Sequence, residues 1–215
     1  MILRNKLLKK IQIILRKRRF SIFNWLISSL DRPISILDLG GTQKFWEEME
    51  FIDNKEVYMT LLNVKKIEVK YKNYSSITGD ATNLEQYKEN QFDVVFSNSV
   101  IEHVGDETKQ KLMAEEIKRV AKYYFVQTPS IRFPIEPHFR FLGFQYLPLM
   151  VKIFLIKHFN LGHYKKIEDT NRAKSLAQSI NLLSYKQCKK LFPDAEIKKE
   201  KFIGLTKSYI IYKFK

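Results

Sequence analysis

Cysteine is almost missing from this chain of 215 residues, in which Cys188 stands alone. A single cysteine excludes an intramolecular disulfide and a zinc site built from cysteines. The basic N-terminus is not followed by the uninterrupted apolar stretch and small-residue cleavage site of a signal peptide, and 28% charged residues argue against an integral membrane protein. These absences favour a reducing compartment, and we expect a cytoplasmic protein.

The residues that are abundant are typical of a globular protein. Hydrophobic residues make up 45% of the sequence and aromatic residues 13%, which is too much for a disordered chain. At this length we expect one domain with a sizeable core. The formal charge of +15 predicts attraction to an anionic partner, either nucleic acid, an acidic membrane surface or a phosphorylated substrate.

The first 30 residues place apolar side chains at roughly helical spacing, and residues 1–20 contain eight basic residues and no acid. They predict a basic amphipathic helical extension over residues 1–30, broken near Ser21, ahead of a domain over residues 31–215. Two interpretations of this helix stay open. It packs its apolar face on the domain, or it forms a peripheral contact with an anionic membrane.

After residue 33 short apolar runs alternate with helical stretches, which is typical of a parallel sheet in an α/β domain. Five such strands with short crossovers predict a doubly wound sheet with α-helices on both faces, and two terminal strands predict a closing antiparallel hairpin. The predicted strands are 34–39, 56–62, 75–79, 92–97, 123–128, 196–202 and 208–214, and the predicted helices are 43–52, 107–120 and 184–191.

Glycines and polar residues follow the carboxyl ends of the first four strands. The segment Ile36-Leu37-Asp38-Leu39-Gly40-Gly41-Thr42 places an acid near the end of a buried strand and two glycines in the turn to a helix, where the backbone can approach a ligand. The third glycine of a dinucleotide-binding fingerprint is missing. Because the next strands end at Asn63, Gly79-Asp80-Ala81 and Asn98, one crevice at this edge is the predicted ligand site.

With these motifs, and with Asn98-Ser99-Val100-Ile101-Glu102-His103-Val104 after the fourth strand, the chain resembles class I S-adenosylmethionine-dependent methyltransferases of the type 11/12-like group. The resemblance covers about residues 31–215. It implies a Rossmann-like seven-stranded sheet with its last strand antiparallel, and S-adenosylmethionine as cofactor. The binding residues that it implies are Asp38, Gly40 and Gly41 for the methionine and ribose part, Asn63 for the ribose, Asp80 and Ala81 for the adenine, with Asn98 at the fourth strand.

Asn63 departs from the family pattern, which usually has Asp or Glu at this place to accept from both ribose hydroxyls. An asparagine offers one acceptor oxygen and one donor group. We therefore expect cofactor binding to be kept but weaker.

Two histidines are candidates for a general base, which methyl transfer needs only where the acceptor must lose a proton. His138 lies in a proline-rich loop, residues 128–139, that resembles the acceptor-site segment of methyltransferases found with polysaccharide or glycolipid assembly enzymes. We predict His138 as the base and Glu136 as its orienting group or a ligand of a substrate hydroxyl. His103 is the second catalytic candidate, with a structural histidine as the alternative interpretation.

Glu102 and His103 are also similar to metal ligands of some quinone-biosynthesis methyltransferases, but Ser99 stands where a further carboxylate would fall. Two ligands make a poor site, so we predict no metal. Residues 139–161 are rich in apolar side chains that Pro148, Lys152 and Lys157 interrupt, too often for a membrane-spanning helix. This segment is a lid over the acceptor, a membrane-edge contact or a buried helix.

The motifs favour methylation of a small-molecule or lipid-linked acceptor, at a sugar hydroxyl. Nucleic acid is the less favoured partner. Base methylation typically uses two prolines and an aromatic residue after Asn98, where Ser99-Val100-Ile101 follow, whereas ribose methylation of RNA stays open. The remaining alternative is a non-catalytic binding module of the same fold.

Overall fold

The computed structural model describes residues 2–52 and 54–214, and the side chains of residues 13–52 and 54–214. Short 3₁₀ turns lie at Ile101–His103 and Phe144–Tyr146. The strands are β1 (Ile34–Leu39), β2 (Val57–Asn63), β3 (Tyr74–Thr78), β4 (Phe92–Asn98), β5 (Ala121–Pro129), β6 (Ile135–Glu136), β7 (Phe141–Leu142), β8 (Glu196–Phe202) and β9 (Leu205–Lys213). The helices are α1 (Ile2–Ile27), α2 (Gln43–Glu48), α3 (Glu107–Val120), α4 (Leu149–His158), α5 (Thr170–Gln178) and α6 (Tyr185–Leu191).

Seven strands form one sheet in the order β3-β2-β1-β4-β5-β9-β8. The first five are parallel, and β9 is antiparallel to both of its neighbours, β5 and β8. This confirms the predicted doubly wound sheet, its antiparallel last strand and the closing hairpin. The order reverses between β1 and β4, and a crevice opens at the carboxyl ends of strands at such a switch point.

Helices cover both faces of the sheet, as predicted. On one face Phe23 of α1 and Trp46 of α2 are fully buried against Phe96 of β4. On the other face Ile117 of α3 and Cys188 of α6 are fully buried in a second cluster. Burial of each large apolar side chain contributes roughly 1.5–3 kcal/mol, so these two layers hold the crevice in place from both sides.

The N-terminal helix is continuous, so the predicted break near Ser21 is wrong. Ser21 Oγ donates a hydrogen bond to the carbonyl oxygen of Arg18 at 2.8 Å, which satisfies the hydroxyl without interrupting the helix. Phe23 and Ile27 are fully buried, so the second half of α1 packs on the domain. Side chains 2–12 are outside the described residues, and membrane contact through residues 1–30 stays a prediction.

Helix α2 ends at Glu48, four residues before its predicted end. Thr42 Oγ1 accepts a hydrogen bond from the Phe45 amide at its start. At its end Glu50 adopts a left-handed conformation with φ of 59°, which turns the chain and brings Phe51 into the core. The apolar pattern of the sequence continues at helical spacing beyond Glu48, so the predicted helix is longer than the observed one.

The segment between β5 and α6 builds a smaller core of its own. The rings of Phe139 and Phe144 stack with their centroids 4.0 Å apart, and Ile153 and Ile156 of α4 pack there with Ala173 of α5. Helix α4 is thus buried on one side, outside the two layers of the main sheet. Among the residues that the structure describes, no helix is both long and apolar enough to cross a membrane.

Candidate active site

The turn after β1 contains two glycines that approach neighbouring side chains closely. Gly40 has φ of +71°, and a Cβ placed on it would lie 2.6 Å from Cγ2 of Val100. A Cβ placed on Gly41 would overlap the carboxylate of Asp38. Neither position accepts a side chain, so this glycine turn (residues 40–41) keeps its backbone open to a ligand.

Asp38 lies beneath the glycine turn at the end of β1, with only 1% of its surface exposed. Its Oδ2 accepts a hydrogen bond of 2.7 Å from Nε1 of Trp46, whereas Oδ1 is buried without a partner among the described residues. Burial raises the pKa of Asp38 to about 8, and the hydrogen bond from Trp46 opposes that shift. An unsatisfied acceptor beside an open turn is suited to a polar ligand group.

The buried Asp38 predicts that the free energy of unfolding falls as the pH rises. Between the ordinary pKa of 3.8 and the raised pKa of about 8, the folded chain keeps a proton that the unfolded chain has lost. This contribution to stability is fully present below the lower value and is lost as the pH rises through the upper one. Asp38→Asn, which cannot ionise, is expected to flatten this part of the profile.

Chemical denaturation of both ligand-free proteins at about pH 5 and about pH 8 measures this difference. Titration of all other groups is common to the two proteins and cancels when their profiles are subtracted. Parallel profiles would show that Asp38 ionises normally in the folded protein.

Asn63 connects the glycine turn to β3. Its side-chain Nδ2 donates to the carbonyl oxygen of Gly41 at 2.8 Å, and its backbone carbonyl oxygen accepts from the backbone amide of Gly79 at 2.9 Å. The amide side chain therefore braces the glycine turn through its donor group. The side-chain oxygen of Asn63 remains as an acceptor at this edge of the sheet.

Asp80 continues the same edge beyond β3 and is exposed. Its Oδ1 accepts hydrogen bonds from the backbone amide and the hydroxyl of Thr82, both at 2.8 Å, and the first of these is the main reason that its pKa is lowered. Ala81 is buried beside it. The structure thus places Asp38, the glycine turn, Asn63 and Asp80 in sequence along the carboxyl edge of the sheet.

A cleft of about 320 Å³ lies on the other side of the glycine turn, a volume typical of ligand sites. Asn98 at the end of β4 lines it, and so do Arg16 of α1 and Lys44 of α2. Arg19, one helical turn further along α1, donates to Oδ1 of Asn98 at 3.2 Å and pairs with Glu200 at 3.3 Å. Sequence reasoning missed that α1 reaches this edge, although its acid-free basic run was the available signal.

The two predicted histidines meet, although 35 positions separate them in the chain. Nε2 of His103 and Nε2 of His138 lie 3.0 Å apart, and Nδ1 of His138 lies 2.7 Å from Oε1 of Glu136. Since the Glu136 carboxylate can only accept from Nδ1, the neutral His138 ring has its lone pair on Nε2. His103 then donates its Nε2 proton to that lone pair.

Glu102 lies buried next to this pair. Its Oε2 accepts from Oγ1 of Thr128 at 2.9 Å, Oε1 is buried without a partner among the described residues, and burial raises its pKa to about 7. Burial also lowers the pKa of His103 to about 4. A neutral His103 is a weak proton acceptor, so His138, with a carboxylate behind it, is the better candidate.

One ligand atom each from Glu102, His103 and His138 lies within 4.8 Å of the other two, which is also the donor set of a metal site. The sequence prediction of no metal considered Glu102 and His103 alone. It could not include His138, because the loop after β5 brings that residue in from a distant part of the chain. The absence of a metal stays a prediction.

A second cleft, of about 350 Å³, lies between the smaller core and α3. Glu136 lines it, so the group that holds His138 also borders this space. Gln145 lines it as well and has a buried Oε1 without a partner among the described residues. The rest of the lining includes apolar rings, amide and carboxylate side chains and one lysine, among them Phe139, Phe144, Asp106, Gln110, Asn181 and Lys152.

Residues 38–123 match a family model described as a methyltransferase domain, whereas no curated protein matches the sequence. A methyltransferase from Aquifex aeolicus described as dependent on S-adenosylmethionine is 12% identical with a TM-score of 0.52, covering 90% of this chain and 87% of that one. One from Methanosarcina mazei is 15% identical with a TM-score of 0.53, covering 86% and 93%. The carbon methyltransferase CurJ is 12% identical with a TM-score of 0.51, covering 86% and 50%.

Identities this low establish a shared fold and leave the methylated atom open, since one of these structures is a carbon methyltransferase. The family match is more specific, because residues 38–123 contain the glycine turn, Asn63, Asp80 and Asn98. These are the residues that line the carboxyl edge in the structure. The chain therefore has the fold of S-adenosylmethionine-dependent methyltransferases, and its residues 38–123 match a methyltransferase domain.

Proposed function

We propose that this enzyme methylates a hydroxyl group of a small-molecule or lipid-linked acceptor, with a sugar as the preferred substrate class. The observation that carries this proposal is the hydrogen-bonded series Glu136–His138–His103. Oε1 of Glu136 lies 2.7 Å from Nδ1 of His138, and Nε2 of His138 lies 3.0 Å from Nε2 of His103. A hydroxyl must lose its proton on methylation, and an imidazole backed by a carboxylate can take it.

The residues of the glycine edge fit S-adenosylmethionine by their chemistry. The glycine turn leaves room for the methionine and ribose part, with the unsatisfied Oδ1 of Asp38 below it. Lys44 provides positive charge for a carboxylate beside Arg16, which is paired with Glu48 at 2.9 Å, and Asn98 borders the same cleft. We assign Asn63 to the ribose, and Asp80 with Ala81 to the adenine. When bound, the cofactor supplies a methyl group on a positively charged sulfur, which is an activated leaving group.

In the proposed reaction the acceptor hydroxyl replaces the His103 N–H as hydrogen-bond donor to Nε2 of His138. His138 would take the proton of the acceptor hydroxyl on its Nε2 as that oxygen is methylated. The buried Glu136 carboxylate stabilises the imidazolium that forms. His103 positions the acceptor from the exposed side of the pair.

The second cleft supports a sugar as acceptor. Gln145 donates to the carbonyl oxygens of Ile131 and Phe133, which fixes its amide and aims the unpartnered Oε1 as an acceptor. Amide and carboxylate groups next to aromatic rings can recognise a polyhydroxylated ring with apolar faces. RNA ribose is the alternative acceptor, which the net charge of +15 favours.

The test is an isotope-labelled methyl-transfer screen of free sugars, lipid-linked sugars and RNA with the full chain. We expect label on a sugar hydroxyl, insensitive to moderate salt. Salt-sensitive labelling of RNA would replace the sugar by ribose in RNA. Binding of the cofactor without transfer to any hydroxyl would contradict the proposed acceptor chemistry.

Metal removal tests the use of the histidine pair as a base. We expect a substoichiometric metal content in the purified enzyme and unchanged turnover after treatment with a chelator. If turnover were lost and a divalent metal restored it, Glu102, His103 and His138 would be metal ligands, and His138 could not take the proton.

We also propose a cytoplasmic location with peripheral contact to the membrane. Cys188 supports the cytoplasmic location, because it is a free, buried thiol in a chain with no second cysteine, as is usual in a reducing compartment.

A further inference from the structure

Helix α4 is apolar on its outer side as well as on its buried side. Ile153 and Ile156 pack in the smaller core, whereas Met150, Val151 and Phe154 are 74%, 41% and 54% exposed. An apolar helix face is normally buried. In the part of the chain that the structure describes, nothing covers the outer side of α4.

The exposed apolar surface continues past the end of α4. Phe159 is 51% exposed and its ring centroid lies 6.5 Å from that of Phe154. A contiguous group of this kind marks an interaction site more often than isolated exposed side chains do. We call it the α4 face, and it consists of Met150, Val151, Phe154 and Phe159.

Basic residues accompany the α4 face. Lys157 is on α4 itself, and α5, which packs on α4, has exposed Arg172 and Lys174. Residues 139–178 contain seven basic and two acidic residues, a net charge of +5 with histidine neutral. Long cationic side chains next to exposed apolar ones suit an interface in which apolar groups enter the acyl boundary and ammonium groups stay with phosphates.

We infer that the α4 face binds the surface of an anionic membrane. A second copy of the chain suits this face less, because two copies would bring the same net positive charge together. Nucleic acid suits it less, because phosphates and bases gain little from aliphatic contacts such as those of Met150 and Val151. Both remain outcomes that the experiment can return.

The position of Lys152 gives the contact a role. This residue lines the second cleft, where its Nζ donates to the carbonyl oxygen of Gln145 at 3.1 Å, and it follows Val151 of the α4 face on the same helix. A membrane bound there lies beside the cleft to which we assign the acceptor. Membrane binding itself is independent of the proposed function, whereas delivery of a lipid-linked acceptor into the cleft rests on it.

Sedimentation of the full chain with lipid vesicles tests the inference. We expect binding to vesicles of phosphatidylcholine with phosphatidylserine and little binding to phosphatidylcholine alone. Binding should weaken with added salt, since the Debye length falls from about 10 Å at 0.1 M to about 3 Å at 1 M. The double variant Met150→Glu with Phe154→Glu should partition at least about 10-fold less, because carboxylates neither enter the interface nor approach anionic lipid.

Two variants at other exposed apolar positions serve as controls. Ile203→Glu, at a side chain 84% exposed between β8 and β9, and Trp25→Glu, at one 70% exposed on α1, add the same kind of charge elsewhere. Both should bind vesicles as the wild type does. Calorimetry measures S-adenosylmethionine binding by every variant, and we expect it to be unchanged. Unchanged binding shows that each variant is folded. It also separates a loss of membrane binding from a loss of the cofactor site.

Three results would overturn the inference. One is equal vesicle binding by the wild type and the α4 double variant, and another is loss of binding in Trp25→Glu alone, which moves the contact to α1. The third is a wild type that forms a dimer or binds RNA through this face, lost in the double variant, without binding vesicles.

Discussion

Gly41→Ala is expected to abolish measurable binding of S-adenosylmethionine, a loss of about 100-fold or more in affinity. The added Cβ would overlap the carboxylate of Asp38. Asp38 cannot simply move aside, because it is buried and holds the indole of Trp46 through a hydrogen bond of 2.7 Å. The glycine turn must therefore shift, and the backbone that is open to the cofactor shifts with it. Calorimetry with S-adenosylmethionine and S-adenosylhomocysteine measures the loss.

Gly40 and Gly143 provide a matched pair for this test. Their φ angles are +71° and +69°, so alanine is equally strained at both. A Cβ at Gly40 meets Val100 at 2.6 Å, whereas at Gly143 nothing lies within 4 Å. Gly40→Ala should therefore lose affinity that Gly143→Ala keeps, since the strain of a positive φ is common to both variants and the clash is confined to Gly40. Normal affinity in folded Gly41→Ala would show that the cofactor does not contact this turn.

The sheet could be predicted from local patterns because its strands are short apolar runs with clear ends. Strand β1 was predicted with its observed bounds, since Pro33 precedes it and Gly40 ends it. Strand β8 was also predicted in full. Strand β9 begins at Leu205, three residues before the prediction, because pairing with β8 extends it through the half-exposed residues at the hairpin turn.

The candidate site was predictable to the extent that parallel strands bring their carboxyl ends together. The sequence placed Asp38, Asn63 and Asp80 on one edge, where the structure has them. It could not show that Trp46 occupies one oxygen of Asp38, or that Asn63 uses its donor group on the backbone of Gly41. Those contacts depend on how α2 packs on the sheet and on the path of the turn.

Contacts between distant segments could not be predicted from the sequence for the same reason. The approach of His103 and His138 depends on where the loop after β5 places Glu136 and the short ladder of β6 with β7. The contact of Arg19 with Asn98 and Glu200 depends on the docking of α1 across the end of the sheet. Neither is encoded in a local pattern.

His138→Gln is expected to lower the rate of methyl transfer to a hydroxyl by about 10²- to 10⁴-fold, which is the usual contribution of a general base. Glutamine keeps a polar group of similar size, but it cannot take a proton at neutral pH. Affinity for S-adenosylmethionine should stay unchanged, because His138 is not among the residues lining the cleft at the glycine turn. Single-turnover measurements with the accepted substrate isolate this step from binding and product release.

Glu136→Gln separates the base from the group that supports it. The amide oxygen can still accept from Nδ1 of His138, but the negative charge that stabilises the imidazolium is gone, so we expect a smaller fall in rate with little change in KM. His158→Gln is the matched control, since His158 is exposed on α4 and hydrogen-bonds Phe154 of its own helix. If His138→Gln turned over a hydroxyl acceptor as fast as His158→Gln, the proton would have to leave by another route, and the pair would then serve to hold the acceptor in place.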